Sequence, residues 1–499
     1  MKRYLSVNFL LTMLFTMLGM AVMGYHPGIE DDGVYLPAVK FKLNPALYPH
    51  DYNFFHLQMQ ASFFDTWVAG FVRWTGIPLA ATELLWQFAS IALIVFGCWT
   101  IAHRLFPEAR AQWAGVALVT GLFTLPVAGT ALYLVDQHLH PRAVATAIIL
   151  LAVSRILAGK SWQAIPLLLL AFLLHPIMGA LGISFCFILA MVLLEPLHLW
   201  LRRWRTAGHG AGNVFGSAVF VPLGWVFEPP TPAWREALGT RTYFFLFHWA
   251  WYEWMGAWVP LLLFWLLWRF VRKRGETLLA RFSLAVFLYG VFQLAVAMLM
   301  LGFPALIRLA PLQPMRFLHL IYFFLLLMGG CLIGKYLLKA SLWRWAVFLV
   351  AINAGMFIAQ RMEFSSSEHL ELPGRATANP WLQAFAWIRQ NTPTDAYFAL
   401  DPEYLAAPGE DYHSFRALAE RSQLADYIKD TAVVTQIPEL AEVWKRQVQA
   451  QKGWTRFQLA DFERLKAEFG VNWVLVAYPQ PAGLACQWHN EAVSVCRIP

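Results

Sequence analysis

The sequence predicts an α-helical polytopic membrane protein of about eleven transmembrane helices, N-terminus inside and C-terminus outside, ending in a small extracytoplasmic α/β domain. Three observations carry this. Of 499 residues, 59% are hydrophobic and only 14% are charged, whereas a soluble domain carries roughly 25% charged residues. The apolar residues also come in long blocks rather than with the half-polar periodicity of surface helices. Finally, the character of the chain changes after residue 361. Residues 1–361 hold 26 Lys and Arg against 13 Asp and Glu, and residues 362–499 hold 12 against 17. The formal charge of +8 therefore belongs to the hydrophobic part, and the stretch of soluble composition is acidic. Nucleic acid is excluded as a natural partner on that ground, and membrane lipid is the expected one.

The first apolar run, 5–24, follows Met1-Lys2-Arg3 and is about the 20 residues needed to cross a bilayer core. It is long for a signal-peptide core and is followed by Tyr25-His26-Pro27 rather than a small-x-small site, so it reads as a retained span. Further expected spans are 79–102, 113–128, 143–158, 162–174, 177–194, 213–227, 257–268, 282–301, 317–336 and 342–359. The run 162–174 is short. Two short spans meeting at His175-Pro176 keep Lys160 and the cluster Arg202, Arg203, Arg205 on one side of the membrane. With the N-terminus inside, that cluster and the one at Arg269, Arg272, Lys273 and Arg274 fall in the cytoplasm. This is the positive-inside pattern, and it puts the tail outside an inner, or cell, membrane.

The first outer loop, 25–78, contains one ambiguous stretch. Residues 56–75 are apolar enough for a twelfth span, yet Asp65, Arg73 and the spacing of aromatic residues fit an amphipathic helix lying on the outer interface. The transmembrane part is thus 1–361 and the outer domain 362–499. The outer domain should hold a helix at 380–390 and strands near 396–400 and 472–478. Cys98, Cys186 and Cys331 fall in spans as packing residues. Cys486 and Cys496 lie in the outer domain, where a disulfide and two free thiols are both open readings.

Polar residues that could carry chemistry concentrate on the outer face. Glu30-Asp31-Asp32 directly follows the first span, and three adjacent carboxylates need a proton, a cation or water. Their Gly-bracketed turn favours a general-base or metal-binding role over a solvated turn. The loop Asp136-Gln137-His138-Leu139-His140-Pro141-Arg142 offers His-x-His metal spacing and an arginine for a phosphate, or simply the start of a helix at Pro141. His175 sits at the break between two spans, as a ligand-binding group or a hydrogen-bonded kink residue. Arg308 and Arg316 lie near the outer boundary, where their planar donor forks suit a lipid-linked phosphate or ordinary headgroups.

This order of features resembles the GT-C superfamily of integral-membrane glycosyltransferases. Asp31-Asp32-Gly33-Val34-Tyr35 matches that family's first-loop pattern of two acidic residues, two residues and Tyr. The phrase WIRQNTPTDA at 387–396 is similar to one that recurs at the start of outer domains in bacterial members. The acidic set departs from the commoner Asp-Glu, and no Trp-Trp-Asp acceptor signature is present. The resemblance implies a catalytic role for Asp31 and Asp32. It also implies a divalent cation (Mg or Mn) near Asp32 and His138. A polyprenyl-phosphate-linked sugar donor would be held by Glu30, Asp136, His140, Arg142, His175, Arg308 or Arg316, and the acceptor would be a lipid, glycan or protein. The other classes open to such a chain are a lipid or glycan transporter and a non-catalytic assembly factor.

Overall fold

A computed structural model describes residues 2–194 and 228–499. The expected span 213–227 and the cluster Arg202, Arg203, Arg205 lie outside the described residues. The chain begins with α1 (Lys2–Met23), then α2 (Asp32–Leu43), α3 (Asn53–Met59), α4 (Phe64–Thr75), α5 (Leu79–Leu105) and α6 (Ala109–Gly121). A short hairpin of β1 (Pro126–Val127) and β2 (Leu132–Tyr133) follows, then α7 (Pro141–Leu157), α8 (Ala164–Leu174) and α9 (Pro176–Leu194). After residue 228 come α10 (Pro232–Gly239), α11 (Trp251–Lys273), α12 (Thr277–Gly302), α13 (Leu318–Leu332) and α14 (Leu342–Glu363).

Among the described residues, six helical segments are long and apolar enough to cross a membrane: α5, α9, α11, α12, the segment Pro314–Leu338 around α13, and α14. The chain is a helical membrane protein. Its outer surface carries rows of exposed apolar side chains, such as Ile165, Leu169 and Leu173 on α8 and Val347, Val350 and Ile358 on α14, of a kind that lipid rather than water solvates. The centre belongs to α7, almost wholly buried between α5, α8 and α9. Close backbone approach fixes α6 against α13: a Cβ on Gly115 would come within 2.7 Å of the Leu327 carbonyl, and one on Gly330 within 2.6 Å of that of Ala114.

The expected span 113–128 is not a single helix. α6 stops at Gly121 and the apolar run turns into the β1–β2 hairpin. Pro126 lacks the N–H that a helix needs, and Gly129, at φ +61°, makes the turn. A Cβ on Gly129 would collide with Trp249, 2.3 Å away. The break at His175-Pro176 is present: the His175 N–H closes α8 on Ala171 O at 2.9 Å, and α9 starts at Pro176. Residues 56–75 form two short helices rather than a span. α4 buries Phe64, Asp65, Val68 and Ala69 on one face and leaves Trp74 84% exposed. Ser62 and Phe63 are tied to the carbonyls of Leu174 and Leu173 at the end of α8.

The tail adds α15 (Pro380–Asn391), β3 (Tyr397–Ala399), α16 (Phe415–Ala419), β4 (Ser422–Gln423), α17 (Lys429–Gln436), α18 (Ala441–Ala450), α19 (Leu459–Phe469), β5 (Trp473–Ala477), β6 (Ala485–His489) and β7 (Val493–Arg497). The sheet order is β4-β3-β5-β7-β6, parallel across β4-β3-β5 and antiparallel across β5-β7-β6. Successive residues feed opposite cores, as the pleat requires: Phe398, Trp473 and Leu475 on one face, Tyr397, Val474 and Val476 on the other. Cys486 and Cys496 are paired across β6 and β7 and joined by a disulfide.

The loop 25–78 and the tail share a third core. Val34, Tyr48, Phe54 and Phe55 pack with Trp234 and Leu238 of α10 and with Val433, Val434 and Trp444. A buried ionic knot holds the same interface. Arg416 donates to Asp51 Oδ2 at 2.5 Å and forks onto both oxygens of Asp430 at 2.6 and 2.8 Å. Its carbonyl accepts from the Tyr48 hydroxyl at 2.9 Å, and its guanidinium lies over the Phe54 ring. All three charged side chains are 3% exposed or less. Removing the arginine strands two buried carboxylates, so Arg416→Ala should destabilise the protein by about 3–5 kcal/mol. Thermal denaturation in detergent checks this, with faster proteolysis between α14 and α15 as the companion readout; an unchanged melting temperature would refute it.

Candidate functional site

The segment between α1 and α2 is pinned on three sides. Tyr25 exchanges backbone hydrogen bonds with the stretch 369–371, at 3.0 Å to His369 O and 2.9 Å from Glu371 N. The His26 N–H donates to Gln137 O at 2.9 Å, and the Gly28 carbonyl accepts from Ser414 N at 2.8 Å. Gly28 is required at φ +87°, and a Cβ there would also strike Leu418 at 2.8 Å. This frame fixes the start of α2 and with it the acidic triplet.

The two aspartates part company there. Asp32 is buried and turns back to accept the Gly28 N–H at 2.7 Å. Burial pushes its carboxyl up from the usual carboxylate value, and the neighbouring Asp31 adds to that. Asp31 keeps 41% of its side chain exposed and points to the front of the site, with Oδ2 3.5 Å from His140 Nε2 and Oδ1 3.6 Å from Lys429 Nζ. Partial burial opposes its ionisation, but Lys429, His140 and Arg142 outweigh that and hold it well below the carboxylate range. Lys429 also pairs with Glu30.

The loop before α7 supplies the facing wall. His140 caps α7: its Nδ1 accepts the Arg142 N–H at 2.9 Å, with Pro141 at the first helical position. That bond leaves Nε2 as the protonated nitrogen, aimed at Asp31. Burial and then Arg142 push the His140 pKa down to about 4, so the ring is neutral at physiological pH. Asp136 pairs with Arg142 and lies 3.9 Å from His140 Nδ1. The His140 ring meets Tyr35 edge-on at 4.9 Å and lies 6.2 Å from the His175 ring. Arg316 lies within electrostatic reach of Asp31, Tyr35 and Arg142.

Buried polar atoms accumulate here without partners: Arg142 Nε and Nη1, both ring nitrogens of His138, Asp136 Oδ2, His140 Nε2 and Arg316 Nε. Buried polar groups are normally satisfied, so such a concentration marks a place for water or ligand. Seven expected residues thus come together: Glu30, Asp31, Asp136, His138, His140, Arg142 and Arg316. His175 borders them, but its Nδ1 accepts the Met178 N–H at 3.3 Å at the start of α9, the role of a kink residue. Arg308 is elsewhere, donating to the carbonyls of Glu228 and Pro229 at 2.8 and 3.3 Å. Mg or Mn at Asp32 and His138 would compete with pairs already present: Asp32 Oδ2 accepts the Gly28 amide, and Asp31 and Asp136 have cationic partners.

Two features escape sequence reasoning. Lys429 reaches the acidic triplet from 399 positions beyond Glu30, and nothing local marks it. Next to the triplet, His26, Glu371 and His413 bring three potential ligand atoms within 4.8 Å of one another, the one such grouping among the described residues.

The division of labour between the aspartates is measurable. Asp32→Val leaves the Gly28 N–H unpaired and should cost about 1–3 kcal/mol of stability, with Asp32→Asn restoring most of it. Asp31→Asn touches only partly exposed pairs and should change stability by less than about 1 kcal/mol. Melting curves of the three variants decide, and equal losses for Asp31→Asn and Asp32→Val would overturn the assignment.

Residues 379–450 match the family model described as a domain of unknown function, DUF6798. The matched stretch runs from the start of α15 to the end of α18 and includes His413, Arg416 and Lys429. No curated protein matches the chain.

Proposed function

We propose that the protein is a GT-C-like membrane glycosyltransferase that moves a sugar from a polyprenyl-phosphate donor to a lipid, glycan or protein acceptor on the outer side of the cell membrane. The observation that carries this reading is the convergence of a half-exposed, ionised Asp31 with the unpartnered cationic donors of Arg142 and Arg316. A transferase of this class needs both: a carboxylate to orient the attacking hydroxyl and positive charge where a phosphate departs.

In this reading the acceptor O–H donates to Asp31. Its oxygen attacks the anomeric carbon as the bond to the phosphate oxygen breaks, and the proton passes to Asp31 as the new C–O bond forms. Arg142 and Arg316 take up the charge of the leaving polyprenyl phosphate, and His140, neutral, steadies Asp31 through Nε2–H. No step is routed through a metal. The reading counts about eleven crossings: the six long helices, the shorter α1, α6, α7 and α8, and the run 213–227. With the tail outside, the site opens toward the leaflet from which the donor arrives.

Purified protein in nanodiscs, offered radiolabelled polyprenyl-phosphate pentoses and hexoses, should release polyprenyl phosphate, and Asp31→Asn should lower that rate by roughly 10²- to 10⁴-fold. Wild-type turnover by Asp31→Asn would sink the mechanism. Lipid or glycan flux in vesicles without donor cleavage would instead make the protein a transporter. Because Asp31 stays ionised and His140 neutral, the transfer rate should be level from about pH 5 to about pH 8. A limb near the ordinary histidine value would mean that His140 titrates during turnover.

A further inference from the structure

The grouping of His26, Glu371 and His413 lies outside the machinery assigned above. It draws one residue from the turn after α1, one from the connection between α14 and α15, and one from the tail. His26 Nδ1 is 2.7 Å from Glu371 Oε1, and His413 Nε2 is 3.0 and 3.1 Å from its two oxygens. Both histidines are fully buried, and Glu371 is 11% exposed.

The hydrogen bonds fix what His413 can offer. Its Nδ1 faces the Glu410 carbonyl at 3.0 Å, and a carbonyl only accepts, so Nδ1 carries the proton. A neutral His413 then presents a lone pair at Nε2 to two carboxylate oxygens at hydrogen-bond distance. A proton on Nε2 or a metal cation between them resolves that clash, and a ring nitrogen whose partner nitrogen donates to a carbonyl is the usual arrangement of a metal-bound histidine.

We propose that His26 Nδ1, Glu371 and His413 Nε2 bind a first-row divalent ion of the zinc type. Two imidazoles and a carboxylate are the ligand set of many zinc sites that keep one position open. With bonds of about 2.0–2.2 Å the ligand atoms stand roughly 3.3 Å apart, so the two N–O separations of 2.7 and 3.0 Å would open slightly, and the two ring nitrogens start within 4.8 Å of each other. Glu371 also lines a cavity of about 440 Å³ with Pro27, His369, Arg375 and Arg389, which leaves room beside the carboxylate for water as a fourth ligand. The ion would clamp the end of the first helix to the tail.

The full-length protein, purified in detergent without chelator, is dialysed and titrated with Zn²⁺ and, as a spectroscopic probe, Co²⁺. One equivalent should bind, with the visible absorption of four-coordinate Co²⁺ and a rise in melting temperature that chelator reverses. His413→Gln and Glu371→Gln should each weaken binding by at least about 10-fold, while His369→Gln and Asp31→Asn leave it unchanged. Substoichiometric uptake, or equal affinity in His413→Gln and the parent, would overturn the proposal and leave a proton on His413 Nε2 as the occupant. Circular dichroism of His413→Gln guards against misfolding; if that variant unfolds, Glu371→Gln, close in shape, carries the comparison.

Discussion

The buried fork of Arg416 onto Asp430, with Asp51 as the third member, is the interaction on which the packing of the loop 25–78 against the tail depends. A buried guanidinium is stable only if its desolvation is offset by near-ideal geometry, and here two carboxylates, a ring face and shared backbone contacts supply it. Asp51 belongs to the first outer loop and Asp430 to the first turn of α17, so the knot sets the register between segments 379 positions apart. Its consequence is one residue away: Lys429 precedes Asp430, and fixing Asp430 aims Lys429 at Glu30 and Asp31. The electrostatics of the candidate site are thus inherited from a contact that takes no part in it.

The same logic separates Asp31 from Asp32. Near a helix start, one residue is about 100° of rotation, enough to send one carboxylate inward to a backbone amide and leave the next at the mouth. Sequence alone shows an acidic triplet, and the resemblance picks out Asp31 and Asp32 without telling which is buried. The preference comes from Gly28, whose left-handed backbone puts its N–H under Asp32, and from the strand-like pairing with 369–371 that holds Gly28 in place.

What could be read beforehand divides along lines of range. The long apolar segments and the helix and strands at 380–390, 396–400 and 472–478 are local signals, and the structure has helices in the apolar segments it describes and elements at all three tail positions. The run 113–128 misleads because its hydrophobicity continues past Gly121, where α6 ends, into the β1–β2 hairpin that begins at Pro126. Strands β6 and β7 are missed because short, mixed segments take their identity from the sheet beside them. In the site, Asp31, Asp136, His140 and Arg142 are legible, since two loops next to spans concentrate them. Lys429, Glu371 and His413 are not, because their meaning arises only from tertiary contact. Arg308 shows the reverse error: position near the membrane boundary does not choose a partner, and two backbone carbonyls claim it.

Charge balance then decides what the site can accept. Lys429 is matched by Glu30, and Arg142 by Asp136. Asp31 shares Lys429 with Glu30, and Arg316 lies within its electrostatic field. A ligand that is anionic at one end and hydroxylic at the other satisfies both without disturbing the existing pairs. A purely cationic ligand would compete with Lys429, and a purely apolar one would leave Arg142 Nε, Arg142 Nη1 and Arg316 Nε unpartnered in a buried setting. On the proposed reading, that is the reason a departing phosphate and an attacking hydroxyl would be held together between Arg316 and Asp31.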